Sequence, residues 1–520
     1  MKIELFDTTL RDGAQARNVS FSFRDKLRTV HLLDELGIDY IEAGNPGSNP
    51  KDIEFFEALE KIELKNAKIV AFGSTRRKDI KADKDDNLKK LADSFCDIIT
   101  IFGKTWDFHV TDVIRTTLDE NLKMIADSIQ YLRENDKEVF FDAEHFFDGY
   151  KNNPEYALRC LKAALDAGAT RLVLCETNGG CFPEEVAQIT QAVKKALPDA
   201  LIGIHTHNDT GFGVANAHAA LNNGAIHVQG VLNGFGERTG NCNLSNVIAN
   251  LQIKKGIKVI SDEQLKLLTP ICRQIAENAN VHLDNGMPYV GKNAFAHKGG
   301  MHIDGVLKAS SSFEHCSPEL VGNERNIIIS EVSGRGAIMK LLNKYDPSLD
   351  KDSELARNLI EKIKEMEQKG YQFENATASM ELLIQKLLQK FNPSFDILYY
   401  EVRDVSTLGL DILCTIKVRI NDQIRLVSAE GDGPVNALDK ALRLVLEEFY
   451  PELKDVILTD YIVRVLDHNE ATDATVRVTI VTSDKDDEWS TMGVSTNIIE
   501  ASLIALVDSL EYKLLKKEHN

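Results

Sequence analysis

Eight short apolar runs recur through the first 260 residues, at 3–6, 40–43, 68–72, 98–102, 139–143, 171–175, 201–205 and 228–232. They start 27 to 41 residues apart, the length of one strand–helix unit, and intervening stretches such as 25–36 and 154–167 space their apolar residues helically. Strands that are apolar along their length are buried on both faces, as when helices cover a parallel sheet. Eight such units are the count that closes a (β/α)8 TIM barrel. An open doubly wound sheet usually has fewer, with a Gly-x-Gly-x-x-Gly turn after the first strand that this chain lacks. The pattern predicts an α/β barrel over 1–262.

Residues 263–392 read differently: mostly helical, interrupted by a glycine-rich loop at 285–305, with a charged amphipathic helix at 351–370 and a more apolar one at 378–391. From Pro393 the pattern turns to alternating strands, and a repeat follows. The stretch 411–420, the turn Gly431-Asp-Gly-Pro434 and a helix at 435–449 resemble 475–483, the turn Ser495-Thr-Asn497 and a helix at 498–515, offset by about 64 residues. A duplicated α+β domain is expected over 393–520.

Charge narrows the partners. With 61 Lys+Arg against 80 Asp+Glu, the net charge is −19, and such a field repels nucleic acid and anionic membranes. No run of about 18 apolar residues offers a membrane span, and the first residues enter a strand pattern with no signal-peptide layout. Eight scattered cysteines without a Cys-x-x-Cys pair read as reduced thiols of a cytoplasmic protein.

Barrel enzymes work at the carboxyl ends of their strands. Run one ends in Arg11-Asp12, either a working pair or a barrel-end salt bridge. Run seven ends in His205-Thr-His207, and residues two apart on a strand face the same way, so both imidazoles aim into the mouth, as metal ligands or as packed core. Strand one neighbours strand eight, next to strand seven, which brings Asp12 within reach. Strand eight adds Glu237 and Asn241, strand five Asp142-Ala-Glu144, strand six Cys175-Glu176-Thr177. Two imidazoles, a carboxylate and an amide suit Mg2+, Mn2+ or Zn2+. Carboxylates not on the metal are candidates to bond the imidazoles' far nitrogens. Arg11 beside such a metal suits a 2-oxo acid, whose carboxylate it would hold while the cation polarises the ketone. Arg76-Arg77-Lys78 is either a phosphate contact for a substrate or a solvated charge run, and Ser333-Gly-Arg-Gly336 either an anion cradle or an ordinary cap. Cys175 and Cys181 read as packing residues.

The segments FDTTLRDG at 6–13, HTHND at 205–209 and GERTGN at 236–241 resemble the metal-dependent barrel synthases and lyases, the family of 2-isopropylmalate, citramalate and homocitrate synthases and hydroxymethylglutaryl-CoA lyase. FFDAEHFFDGY at 140–150, LCETNGG at 174–180 and NAFAHKGGMH at 293–302 look closest to the citramalate synthase branch. The resemblance implies Asp12, His205, His207 and Asn241 as ligands of a divalent metal, and Arg11 and Thr177 on the 2-oxo acid. It also implies Glu144 near the metal and Glu237 orienting a ligand histidine at the substrate site. His302 would be the acid/base that one subunit lends its neighbour. It further implies a homodimer with a regulatory C-terminal domain, isoleucine as effector, and condensation of acetyl-CoA with pyruvate and water to (R)-citramalate and CoA, opening a threonine-independent route to isoleucine. The same family leaves 2-isopropylmalate synthesis from 3-methyl-2-oxobutanoate, or hydroxyacyl-CoA cleavage, as alternatives. Glu176 stands where this branch leads one to expect Asp, leaving its role open.

Overall fold

The computed structural model describes residues 2–328, 342, 354–403, 412–466, 474–485 and 487–519. Eight parallel strands close into a barrel in chain order: β1 (Glu4–Asp7), β2 (Tyr40–Gly44), β3 (Lys68–Ser74), β4 (Ile98–Lys104), β5 (Glu138–Glu144), β6 (Arg171–Glu176), β7 (Ile202–Thr206) and β8 (Ala225–Gly230). Local signals set the helices between them. Ser22 and Asp25 cap each other at the start of Phe23–Leu36, and Gly37 ends that helix in the left-handed conformation at φ 90°.

Strand alternation sorts the barrel into two cores. Leu5, Ile41, Ile99, Phe141, Leu172 and Ile204 point outward into the layer shared with the helices. Phe6, Val70, Ile98 and Phe140 point inward, with Tyr40 packed against them. His227 joins this inner layer, its ring 5.2 Å from Phe6 and 5.4 Å from Phe140. Glu4 sits beside it, 2.7 Å from Arg171 and 3.1 Å from the His227 Nδ1. β8 begins three residues before the expected run at 228. Its inward positions, His227 and Gln229, are polar, so the apolar pattern starts late, and Val231 and Leu232 already belong to the following loop.

The chain divides into two compact units, Met1–Phe295 with His315–Asn326 and Ala296–Glu314 with Ile327–Asn520. The first runs past the expected boundary at 262, because Leu265, Leu268, Ile271 and Ile275 pack into the barrel's outer core. In the second, the repeat is two copies of one motif. A three-stranded antiparallel sheet (Asp396–Arg403, Ile412–Ile420, Gln423–Gly431) precedes the helix Pro434–Phe449, and another (Ile457–Val465, Val476–Ser483, Glu488–Ser495) precedes Ile498–His519. Cys414, Ile416, Val418 and Ile420 alternate inward against Leu438, Leu442 and Val445; Val478 and Ile480 belong to the same core as Ala501, Ala505 and Leu506. The middle region contributes Glu354–Gln368 and Thr377–Leu387, while the 333–336 motif lies outside the described residues. No described helix is long and apolar enough to cross a membrane, and none of the eight cysteines is in a disulfide.

Candidate metal centre and active site

The turn after β1 is fixed from below. The buried Asp7 carboxylate accepts from the Thr9 amide and hydroxyl at 2.9 Å each and from the Leu232 amide at 3.1 Å. Gly13 is needed for close approach, since a Cβ there would lie 2.9 Å from Val231 Cγ1. This turn carries Arg11 and Asp12 over the barrel mouth. Asp12 Oδ2 lies 3.3 Å from His205 Nε2 and 3.9 Å from His207 Nε2. One ligand atom from each of these three buried residues falls within 4.8 Å of the others. A backbone bridge joins Asn241 to His207; both polar atoms of the Asn241 amide, and His207 Nδ1, are buried without a protein partner. Stranded donors and acceptors are costly in an interior unless a ligand engages them. Two imidazoles, a carboxylate and an unengaged amide fit a divalent cation.

The three groups act on one another: burial works against charge on His205, but Asp12 outweighs it and raises the pKa of the ring. Burial opposes charge on Asp12, but Arg11 and the two imidazoles outweigh it and hold the carboxyl well below its ordinary range. Burial and the neighbouring His205 bring the His207 pKa down to about 4, leaving its ring nitrogen free to donate a lone pair.

Beside this cluster the Arg11 Nε meets Glu42 at 2.5 Å, and its guanidinium lies over Phe72, which stacks on Phe102 with centroids 5.5 Å apart. Arg11, Asp12, Glu144, Thr177, His205, His207 and Glu237 line one cavity of about 240 Å³, shared with Phe72 and Phe102. The Thr177 hydroxyl accepts from the His145 amide at 2.9 Å, so its own proton is free to point into the cavity. Glu144 pairs with Lys104.

Other expected positions resolve differently. Glu237 is more than half exposed, 3.9 Å from Arg238. The ligand-histidine bond expected of it is made by Gln229, whose Oε1 lies 3.0 Å from His205 Nδ1, because β8 runs in register beside His205. His302 belongs to the second unit, on the helix Gly300–Lys308, exposed and stacked on Phe313 at 4.3 Å. Glu176 is a loop anchor: it accepts from the Gly180 and Cys181 amides at 2.9 and 3.3 Å. Arg76 is neither solvated nor free for a phosphate, being buried against Glu120 and Asp127 at 2.9 and 2.8 Å. Cys175, expected only to pack, also lines the cavity. Glu42 and Gln229 went unread as site residues. The signal for each was a polar side chain at an inward position of a buried strand, which must have a partner.

Residues 2–274 match the HMGL-like family, 289–371 the homocitrate synthase post-HMGL domain-like family, and 374–514 the LeuA allosteric (dimerisation) domain. The chain is 49% identical to the (R)-citramalate synthase of Geobacter sulfurreducens and to that of Aquifex aeolicus, each over 99% of this chain and 98% of the relative. It is 30% identical to the 2-isopropylmalate synthase of Pseudoalteromonas atlantica, over 98% of this chain and 95% of the relative. The chain belongs to the 2-isopropylmalate and homocitrate synthase family, in its (R)-citramalate synthase branch.

Proposed function

We infer that this enzyme condenses acetyl-CoA with pyruvate and water, giving (R)-citramalate and CoA. The observation that carries the reading is the 49% identity to (R)-citramalate synthases over 99% of the chain, against 30% to a 2-isopropylmalate synthase. The Phe72–Phe102 pair, which narrows the cavity beside Arg11, suits a ketoacid with a methyl side chain.

Asp12, His205, His207 and Asn241 would hold a divalent cation, Mg2+, Mn2+ or Zn2+. When bound, it supplies a Lewis acid that polarises the ketone. Arg11, held in plane by Glu42 and Phe72, takes the pyruvate carboxylate, and the Thr177 hydroxyl donates to it. A base removes a proton from the acetyl methyl, the resulting carbanion attacks the ketone carbon, and the new alkoxide takes up a proton. Water then cleaves the thioester and CoA leaves as the thiol. Arg11 stabilises the growing negative charge. His302, lent by the neighbouring subunit, serves the proton transfers, with Glu144 close to the reacting ketone. Glu237 sits at the cavity rim, within reach of the substrate.

The reading extends to a cytoplasmic homodimer inhibited by isoleucine. The LeuA dimerisation match supports the dimer, and eight cysteines outside any disulfide support a reducing compartment. CoA release measured with pyruvate, 2-oxobutanoate and 3-methyl-2-oxobutanoate tests the reaction, beside a cleavage assay on hydroxyacyl-CoA. Pyruvate should give the highest kcat/KM; preference for 3-methyl-2-oxobutanoate would return the leucine-pathway reaction, and thioester cleavage alone would return the lyase. Isoleucine, leucine and valine added to the same assay test the effector. Isoleucine should inhibit at the lowest concentration, and indifference to all three would remove the regulatory reading.

A further inference from the structure

We propose that Gln229 and Asp142 form a relay that holds the His205 ring in the tautomer able to bind a cation, making Gln229 a positioning residue of the metal pocket. Gln229 is fully buried on β8, in register with His205 on β7. Its Oε1 lies 3.0 Å from His205 Nδ1, and its Nε2 donates to Asp142 Oδ1 at 3.0 Å. Asp142 comes from β5, which is not a barrel neighbour of β8, so the second bond crosses the interior.

The chemistry of the two partners dictates the direction of the chain. A carboxylate oxygen accepts, so the amide NH2 of Gln229 turns to Asp142 and the amide oxygen is left facing His205. That oxygen can only accept, so the proton of a neutral His205 sits on Nδ1. Nε2 then keeps its lone pair, and Nε2 is the nitrogen 3.3 Å from Asp12 Oδ2. Two electron-rich atoms so placed are ready for a cation. Gln229 alone would not be enough, because an amide can turn either end to the ring. With the NH2 group toward Nδ1, the proton would move to Nε2 and close the ligand. Asp142 removes that choice. His207, by contrast, has an Nδ1 with no protein partner, so among the described ligands only His205 is set by side chains from two other strands.

The proposal rests on Asp12, His205 and His207 being the ligands, and the experiment separates the two claims. Mn2+ affinity is measured on the chelator-treated full chain by electron paramagnetic resonance of free Mn2+, for wild type, Q229L, D142L and D142N, with thermal melts of each metal-free protein. Loss of an outer partner to a ligand histidine typically weakens metal binding about 10- to 100-fold, which is the loss expected for Q229L. D142L frees the amide to turn and should lose roughly tenfold. D142N keeps the shape of the side chain but is itself an amide that can turn either end to Gln229, so it should lose affinity as D142L does while melting like wild type. A merely structural role would lower the melting temperature of Q229L and D142L and leave Mn2+ affinity unchanged. Wild type that binds no Mn2+ overturns the ligand reading itself. Wild type that binds while Q229L binds equally tightly overturns the relay alone. If Q229L does not fold, the Asp142 pair decides: either D142L or D142N binding Mn2+ as tightly as wild type overturns the relay.

Discussion

The Arg11 guanidinium lies over the Phe72 ring, 3.9 Å from its centre, while its Nε meets the buried Glu42 at 2.5 Å. One contact fixes the plane of the group and the other its rotation within that plane, and its Nη1 lies 3.4 Å from Asp12 Oδ2 beside the cavity that Arg11 lines. A lysine has neither the plane nor the second edge. Arg11→Lys keeps the charge and should still lose about 10- to 100-fold in kcat/KM, as expected for charge-assisted hydrogen bonds worth roughly 1.5–3 kcal/mol. The loss should fall mainly on the KM for the 2-oxo acid. Steady-state kinetics at saturating acetyl-CoA measure it, and an unchanged KM would remove Arg11 from substrate binding.

Phe102 stacks on Phe72, the ring that lies under Arg11, and lines the same cavity. Phe102→Ala should move the kcat/KM ratio toward 3-methyl-2-oxobutanoate by about tenfold or more, since fitting or excluding a methylene in such a pocket is worth roughly 1–3 kcal/mol. The two ketoacids are compared on the variant and the parent. A ratio that stays put would mean that some other wall selects the side chain.

At the opposite end of the barrel, burial works against the charge on Glu4, but Arg171 and His227 outweigh it and bring its pKa from 4.5 to about 2. The folded protein thus holds this proton less tightly than the unfolded chain. The corresponding stability is complete above pH 4.5 and is lost as pH falls toward 2. Glu4→Gln should melt below wild type at pH 7, and the gap should narrow across that acid window. Melting curves from pH 7 to 2 give the answer, and a gap that does not change with pH would rule out the ionised Glu4 as its source.

His302 and Arg11 belong to different units of the chain. If His302 completes a neighbouring subunit's site, mixing inactive His302→Ala with inactive Arg11→Ala after subunit exchange should restore activity, since one hybrid site in each mixed dimer has both residues intact. The expected recovery is about a quarter of wild-type activity for random exchange of equal amounts, where half of the dimers are mixed and each has one good site. Proven exchange without recovery would put His302 to work within its own chain.

What could be read from the sequence follows from which face each residue serves. Outward positions such as Leu5, Ile41, Ile99 and Ile204 are apolar because helices cover them, and they made the strands visible as runs. Inward positions near the mouth answer to the chemistry instead. His205 and His207 stood out through their spacing, but Glu42 and Gln229 were single polar residues inside runs read for hydrophobicity. Their partners, Arg11 and Asp142, lie 31 and 87 residues away, so no local pattern could pair them. The same holds for Arg76, whose carboxylates lie 44 and 51 residues on. Arg77 and Lys78 do stand at the surface, and nothing along the chain sets Arg76 apart from them, because a sequence shows neighbours along the chain and not across it.

The layer formed by Phe6, Tyr40, Phe140 and His227 gives the barrel a floor. A vessel with a floor is filled and emptied through its rim. Whatever enters or leaves this cavity therefore passes the side chains at its mouth, Arg11, Thr177 and Glu237 among them, and the rings far below keep that the way in.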